Sequence, residues 1–258
     1  NQIYPNAKQV LWPELWLSPL HMGQSEEDMT LEQLHYLRIK NSLIELALSE
    51  ANLAIVPTRF QAKSFPKKLR TKIKVLHEGV KDNLFELNRL TSLHINNEII
   101  LGADIPLITF ISRNLEPMRG FPDFMRAIPT LQANNSKAHI VIVGGEGVSY
   151  SSASSDGKSW KEVLLNELGD SLDNTRLHFI PRLPHEQLIK LYLRSNLHVY
   201  LSNAFVLSWS LTEVMACGTA VLGFNNEMLR EIVKPGDTGA LYEGSAKGLG
   251  QAMSDLLK

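Results

Sequence analysis

The stretch PLITFISRNLEPMRGFPDFMRAIPTLQANNSKAHIVIVGG, residues 106–145, decides the fold class of this chain. It contains two apolar runs of strand length, PLITFISR and AHIVIVGG, on either side of PDFMRAIPTLQAN, which has the length and spacing of a helix. Strands that are joined through a helix pair in parallel, because a tight turn can connect only antiparallel neighbours. The stretch therefore predicts a strand, helix and strand of a parallel sheet.

The same alternation continues after residue 145. LHFIPRL, LHVYLS and TAVLGF have strand character, and they alternate with the helical segments SWKEVLLNELG, EQLIKLYLRS, SLTEVMACG and NEMLREIV. Together with the two strands above, they make five strands separated by helices. This pattern predicts a doubly wound α/β domain of the Rossmann type.

The first part of the chain has an alternation of its own. A helical pattern begins at Thr30, and the short buried strands NLAIVPT and KIKVLHEGV flank the short helix RFQAKSFPKKL. SLHINNEIIL then breaks the rhythm and indicates a hairpin that turns at Asn96 and Asn97. We place the domain boundary near this break, with one domain at residues 1–88 and another at residues 89–258.

Composition and charge exclude some classes of function. The chain has 258 residues, and its formal net charge of -1 argues against a protein whose main task is to neutralise nucleic-acid phosphates. The lone Cys217 allows no internal disulfide, which favours a reducing, cytoplasmic setting. The longest uncharged run, residues 195–212, contains polar residues and is spaced like a strand, a loop and a helix start. We therefore predict no transmembrane span.

Candidate site residues follow the predicted strands, because parallel sheets bind ligands outside the carboxyl ends of their strands. Arg113 and Arg119 flank the loop after PLITFIS and could clamp a diphosphate, or they could be two solvated surface arginines. Gly145 ends IVIVGG and allows close approach of a ligand to the backbone, although a tight turn explains it equally. Arg182 and Leu183 lie in PRLP, which could face a flat base or serve as a structural loop.

Glu213 is the one charged residue in AFVLSWSLTEVMACGTAVLGF, residues 204–224. Ser210 and Glu213 fit a capping box, in which the glutamate bonds back to the amide at the helix start. A ligand explains the same carboxylate, because helix-start amides favour a phosphate and a first-turn carboxylate can accept hydrogen bonds from a sugar diol. Gly218 has the place of the residue that ends the helix. The pattern leaves both explanations of Glu213 open.

Taken in order, SRNLEPMRGF, IVIVGG, FVLSWSLTEVMACGTAV and EIVKPGDTGAL resemble the C-terminal domain of the retaining nucleotide-sugar glycosyltransferases of family four. ANLAIVPTRFQ and KIKVLHEGV are similar to the end of that family's N-terminal domain. The resemblance implies an α/β fold of the GT-B type. It further implies that the Rossmann-like C-terminal domain is complete and that only a remnant of the N-terminal, acceptor-side domain is present.

The resemblance also implies roles for single residues. Arg113 and Arg119 match the basic pair that stabilises the leaving diphosphate. Glu213 matches a glutamate that accepts hydrogen bonds from the donor ribose. Arg182 and Leu183 match the segment that contacts the base.

The residues before Glu213 complete the implied donor site. The backbone of Val206, Leu207 and Ser208 matches a loop that faces the sugar and the phosphates, and Gly145 is expected to bind the donor as well. Phe205 stands where the family has the first glutamate of its E-x7-E element. The usual contact to a hydroxyl of the donor sugar is therefore replaced by an apolar side chain.

The function implied by the resemblance is hexosyl transfer from a nucleoside diphosphate sugar, with retention of anomeric configuration, in polysaccharide or glycolipid biosynthesis. The acceptor would be a glycan, a lipid or a small molecule, and a missing N-terminal region could contact a membrane peripherally. We expect no cofactor and no metal, since the sequence has no D-x-D motif and no His/Cys cluster. Two alternatives stay open. One is a non-catalytic nucleotide-sugar-binding module or inactive fragment, and the other is a sugar-nucleotide epimerase with the GT-B fold.

Overall fold

The computed structural model describes residues 6–22, 24–95 and 99–258. The chain divides into two compact units. The first unit comprises Asn1–Gly79, Ala204–Leu207 and Asn226–Ile232. The second comprises Val80–Asn203, Ser208–Asn225 and Val233–Lys258. The domain boundary near residue 88 stays a prediction.

The first unit contains a small parallel sheet of order β1-β2-β3, which confirms the parallel pairing expected from the sequence. Its helix α1 begins after Thr30, whose side chain accepts a hydrogen bond from the Gln33 amide, while Gln33 accepts one from the Thr30 amide. This reciprocal capping satisfies two amides that a helix start otherwise leaves unpaired. The elements are Val10–Leu11 (β1), Leu31–Glu50 (α1), Leu53–Val56 (β2), Arg59–Ser64 (α2) and Ile73–Val75 (β3).

The second unit begins with an antiparallel pair of strands, Leu93–Ile95 (β4) and Ile99–Leu101 (β5). The pair confirms the strands of the predicted hairpin. Its predicted turn at Asn96 and Asn97 lies outside the described residues.

A parallel sheet of six strands follows within the described part of the chain, in the order β11-β10-β9-β6-β7-β8. The chain starts in the middle at β6, builds outward to β8, returns to the other side of β6 and ends at β11. This is the doubly wound order of Rossmann-type sheets, and it reverses between β6 and β9. The strands are Leu107–Asn114 (β6), His139–Gly145 (β7), Leu177–Ile180 (β8), Leu197–Tyr200 (β9), Ala220–Phe224 (β10) and Gly239–Tyr242 (β11).

The prediction of five strands was wrong by one, because it omitted β11. This strand is short, only partly buried and begins with Gly239, so it lacks the continuous apolar run that identifies the others. A Cβ at Gly239 would overlap the backbone of Val221 on β10. Glycine at this position therefore allows the two strands to pair closely, although a glycine makes a strand harder to recognise from the sequence.

Helices cover both faces of the sheet, and they are amphipathic because one side of each packs on the strands. Phe124 of α3 stacks on Phe110 of β6 with ring centroids 4.7 Å apart, and both side chains are buried. Within the described ranges, no helix is both long and apolar enough to cross a membrane. The helices of the second unit are Phe121–Asn134 (α3), Trp160–Leu168 (α4), His185–Arg194 (α5), Trp209–Ala216 (α6) and Ala246–Asp255 (α8), and Glu227–Ile232 (α7) belongs to the first unit.

Helix α7 belongs to the first unit, although it lies between two strands of the second unit in the sequence. Glu231 of α7 accepts hydrogen bonds from the backbone amides of Arg59 and Phe60 at 2.8 and 3.1 Å. These amides open α2 and have no partner inside it, so the carboxylate acts as its cap. Sequence reasoning did not anticipate this contact, since capping motifs are local in sequence.

A buried histidine lies on β9. His198 has no exposed surface, and its Nδ1 lies 3.0 Å from the Thr109 hydroxyl of β6. The ring of Tyr192 meets it edge-on with centroids 6.0 Å apart. Burial lowers the pKa of His198 from 6.5 to about 3, so the imidazole is neutral in the folded chain at neutral pH.

The stability of the fold is expected to fall as the pH drops below 6.5. The unfolded chain takes up a proton at His198 in this range while the folded chain does not, so each pH unit costs up to about 1.4 kcal/mol. Urea unfolding of the parent and of His198→Asn between pH 8 and pH 5 measures the effect. The parent should lose more stability than the variant, and His94→Asn, at an exposed histidine, should behave like the parent. Equal pH dependence of parent and His198→Asn would contradict the prediction.

Candidate functional site

A cleft of 610 Å³ lies at the carboxyl ends of β6, β7, β8 and β9, where the strand order of the second unit reverses. Neighbouring loops diverge at this reversal, which leaves room for a ligand. The lining comes from the loops after these strands, from α5 and from the start of α6. It consists of Ile111, Ser112, Arg113, Arg119, Val143, Gly145, Pro181, Arg182, Leu183, Leu188, Tyr200, Ser202, Ser208 and Ser210.

Arg113, near the end of β6, and Arg119, in the loop after it, both line this cleft. Arg113 is exposed near the end of the strand, and Arg119 ends the short 3-10 helix Pro117–Arg119. The Arg119 Nη1 donates to the Ser202 hydroxyl at 3.5 Å, and its guanidinium lies 5.2 Å from the ring centroid of Tyr150. Its Nε is buried without a hydrogen-bond partner in the part of the chain that the structure describes. The loop thus brings two cations to one cleft.

Gly144 and Gly145 end β7 at the point where it lies close to the loop after β6. A Cβ on Gly145 would come within 2.7 Å of the Asn114 Oδ1, and one on Gly144 within 2.7 Å of the Leu115 side chain. Tight packing therefore explains both glycines. Gly145 also lines the cleft, and its role in binding a ligand stays a prediction.

The loop after β8 contributes Pro181, Arg182 and Leu183 to the cleft. Arg182 is exposed, whereas Leu183 packs against the apolar cluster that contains Val143. Leu188 of α5 adds another apolar side chain to the lining. The cleft combines guanidinium groups, hydroxyls and apolar surface, which suits a ligand with an anionic part and a planar, weakly polar part.

The predicted capping box of Ser210 and Glu213 is wrong. Helix α6 begins two residues earlier than this capping box requires, at Trp209, with Ser208 in the N-cap position and no side-chain cap. Ser210 is therefore inside the first turn, and its hydroxyl lies 2.7 Å from the Ser208 hydroxyl. The Glu213 carboxylate turns away from the helix start and accepts a hydrogen bond from His185 Nε2 at 2.8 Å.

Glu213 lies in a partly buried environment between α5 and α6. Its side chain is 21% exposed and that of His185 is 49% exposed. Burial raises the pKa of the Cys217 thiol to about 11, and the negative charge of Glu213 acts in the same direction. Burial and the same charge also raise the pKa of Tyr192. Glu213 is not among the lining residues, but Ser210, three positions earlier on the helix, is.

Three predicted site residues belong to the first unit. Phe205 and Leu207 are 8% and 4% exposed, and Val206 is half-buried. The next residue, Ser208, belongs to the second unit and lines the cleft. The sugar-facing role of Phe205 and the donor-facing roles of Val206 and Leu207 stay predictions.

Sequence reasoning missed several polar residues at the cleft. Tyr200 and Ser202 follow the apolar core of β9, and the rule that identified Arg113 after β6 applies to them equally. The Tyr200 hydroxyl is buried and has no hydrogen-bond partner among residues 6–22, 24–95 and 99–258. No sequence pattern indicated the hydrogen bond between His185 and Glu213, because it joins two helices that meet only in the folded chain. Within the same ranges, there is no group of three or more His, Cys, Asp or Glu side chains that could hold a metal ion.

Models of two protein families match the chain and together cover nearly all of it. Glycosyl transferases group 1 matches residues 97–258, and the glycosyl transferase family 4 group matches residues 1–85. The first match covers more than half of the chain and includes every residue that lines the cleft.

Two curated relatives are similar over about half of the chain. They are the D-inositol 3-phosphate glycosyltransferases of Rhodococcus jostii (strain RHA1) and Rhodococcus opacus (strain B4), each 29% identical over 141 residues. The aligned stretch is 54% of this chain, and it is 29% and 30% of the respective relatives. The chain therefore aligns with less than a third of each relative.

Solved structures share the fold at low identity. The chain superposes on sucrose-phosphate synthase from Thermosynechococcus elongatus with a TM-score of 0.68 and 19% identity, covering 93% of this chain and 57% of that one. It superposes on Anabaena HepE, in a complex with UDP, with a TM-score of 0.67 and 18% identity, covering 98% and 64%. These likenesses agree with the parallel sheets of both units. The chain has an α/β fold of the GT-B type and belongs to the glycosyl transferases group 1 family.

Proposed function

We propose that the chain carries the donor site of a retaining hexosyltransferase that uses a nucleoside diphosphate sugar. In the reaction, the bond between the anomeric carbon and the diphosphate oxygen breaks. A bond to the acceptor oxygen forms on the same face of the sugar, and the hydroxyl proton passes to a phosphate oxygen of the leaving group. The acceptor is a glycan, a lipid or a small molecule. The reaction needs no metal and takes place in the cytoplasm.

The observation that carries the proposal is the presence of Arg113 and Arg119 in one cleft at the reversal of the strand order. The leaving diphosphate gains negative charge in the transition state, so fixed cations lower the barrier more than they strengthen substrate binding. The amides at the start of α6 add positive potential near Ser208. Anabaena HepE, which shares the fold, has been crystallised with UDP.

The other candidate residues have roles that follow from their chemistry. Arg182, Leu183 and the neighbouring apolar side chains hold the base, and Gly145 gives the phosphates access to the backbone. Glu213, already partnered by His185, accepts hydrogen bonds from the ribose through its other lone pairs, since a carboxylate has about four acceptor sites.

A non-catalytic nucleotide-sugar-binding module is the second candidate, and Phe205 favours it. A phenyl ring cannot accept a hydrogen bond from a sugar hydroxyl, so orientation of the sugar for transfer would be lost while the nucleotide still binds. Thermal-shift screening with UDP, GDP and ADP tests nucleotide binding. Incubation with the matching nucleotide glucose then separates the candidates. Transferred or released glucose supports the enzyme, and binding without either supports the module.

Glu213→Ala is expected to weaken binding of the preferred nucleoside diphosphate about tenfold, because a charge-assisted hydrogen bond to a ribose hydroxyl contributes roughly 1.5 kcal/mol. Calorimetry with UDP and 2′-deoxy-UDP, or with the corresponding pair of the preferred base, measures the effect. The loss should be smaller for the deoxy compound. Glu167→Ala, which removes a partly exposed carboxylate paired with Arg126, serves as the control. Equal losses for both nucleotides would exclude the ribose role.

A further inference from the structure

Glu116 is a fully buried carboxylate in the loop between the two arginines of the cleft. Its Oε2 accepts three hydrogen bonds, from the backbone amides of Ser149, Tyr150 and Ser151, at 2.9, 3.0 and 2.9 Å. Hydrogen bonds to a charged acceptor are stronger than neutral ones, and burial protects them from competing water. The carboxylate therefore fixes the backbone of residues 149–151, which we call the 149–151 segment.

Two further hydrogen bonds tie the 149–151 segment to the loop after β6. The backbone amide of Met118 donates to the Ser151 hydroxyl at 2.8 Å. The side-chain amide of Asn114 donates to the Ser149 hydroxyl at 2.7 Å. Hydrogen bonds thus run in both directions between the segment and the loop, and they fix the position of one relative to the other.

These hydrogen bonds place the Tyr150 ring next to Arg119. The guanidinium carbon of Arg119 lies 5.2 Å from the ring centroid, a distance at which the ring face attracts a cation. The guanidinium also donates a long hydrogen bond to the Ser202 hydroxyl, at 3.5 Å. Arginine has a long side chain with many rotamers, so contact with the ring restricts its position.

We propose that Tyr150, held in place by Glu116, is a positioning residue that orients the Arg119 guanidinium for a diphosphate ligand. The inference rests on the proposed function, in which Arg119 binds the diphosphate. It goes beyond that function by assigning a task to residues that touch neither the ligand nor the reacting atoms. A guanidinium that is oriented before binding loses less conformational entropy when the ligand arrives.

Calorimetry with UDP and UMP tests the proposal, because the second phosphate is the part that an oriented Arg119 would recognise. Tyr150→Leu is expected to raise the Kd for UDP about fivefold and the Kd for UMP less than twofold. Tyr150→Phe keeps the ring face and should bind UDP within about twofold of the parent. Equal weakening for UDP and UMP, or no rescue by phenylalanine, would overturn the positioning role.

Tyr36→Leu is the matched control, because Lys40 lies 5.4 Å from the Tyr36 ring on α1 in the first unit. It removes the same kind of cation and ring contact at residues that do not line the cleft, and it should leave UDP binding unchanged. Glu116→Gln keeps the shape and one oxygen but removes the charge, and it should weaken UDP binding in the same direction as Tyr150→Leu. Unchanged UDP binding in the Glu116→Gln chain would remove Glu116 from the proposal. If that buried variant fails to fold, the Tyr150 variants still decide the role of the ring.

Arg119→Ala separates a failure of this inference from a failure of the proposed function. In the Arg119→Ala background, Tyr150→Leu should cause no further loss of UDP affinity, because the two residues act as one unit. Additive losses would overturn the inference. If Arg119→Ala weakens UDP binding while Tyr150→Leu does not, the positioning role is excluded and the donor site stands. If Arg119→Ala itself changes nothing, the proposed diphosphate site fails.

Discussion

Replacing Arg119 with alanine is expected to raise the Kd for the preferred nucleoside diphosphate about 30-fold. Charge-assisted hydrogen bonds contribute roughly 1.5–3 kcal/mol, and 2 kcal/mol corresponds to about this change in affinity. The effect on sugar transfer should be larger, about 100-fold in kcat/KM, because negative charge on the diphosphate increases as the glycosidic bond breaks. Calorimetry with UDP, GDP and ADP measures the first quantity, and product formation measures the second.

Arg126→Ala is the matched control for this experiment. Arg126 lies on α3 seven residues further along the chain, is partly exposed and forms an ion pair with Glu167 at 2.6 Å. An ion pair of this kind contributes little to stability, so the variant should fold and bind nucleotide like the parent. If Arg119→Ala binds all three nucleotides as tightly as Arg126→Ala does, Arg119 does not bind the diphosphate.

Gly120→Ala is expected to destabilise the fold by about 3 kcal/mol. Gly120 has φ +73°, a left-handed conformation that costs an alanine about 1 kcal/mol. A Cβ there would also overlap the Leu201 Cβ and come within 2.7 Å of the Leu201 carbonyl oxygen, and such overpacking adds about 2 kcal/mol. The close approach is between the start of α3 and the residue that follows β9. Urea unfolding followed by circular dichroism measures the loss.

Gly218→Ala isolates the backbone part of this effect. Gly218 also has φ +73°, but a Cβ there would meet nothing within 4 Å. Its amide bonds to the Met215 carbonyl after the last turn of α6, which confirms the predicted helix-ending glycine. The variant should lose about 1 kcal/mol, from the left-handed conformation alone. If Gly120→Ala is as stable as Gly218→Ala, the backbone at Leu201 moves aside without a loss of stability, and the overpacking argument is wrong.

The fold was predictable wherever burial leaves a regular pattern. The strand around Phe110 and the helix around Phe124 pack in one core, so their apolar spacing carries the information. β11 has no such pattern, because its pairing with β10 depends on the missing side chain of Gly239. Five strands were therefore predicted and the sixth was not.

Only part of the candidate site was predictable from the sequence. Arg113, Gly145 and Arg182 follow strands that the sequence identifies, and a topological rule places the ends of such strands together. The partner of Glu213 was not predictable, since Ser210 offers a local capping pattern while His185 lies on another helix. The local pattern left the capping box open, and tertiary packing gave the carboxylate the histidine as its partner.

The parallel α/β class, the candidate ligand-binding loops and the family resemblance were all readable from the sequence. These features depend on side-chain periodicity and on local order along the chain, which need no knowledge of distant contacts. Only the tertiary structure decided which residues become neighbours across the sheet. The bonds from Glu116 to the 149–151 segment, the Tyr150 ring beside Arg119 and the His185 bond to Glu213 all join separate elements. Such contacts form because packing brings together polar groups that are far apart in the sequence, and most buried polar groups form hydrogen bonds once water is excluded.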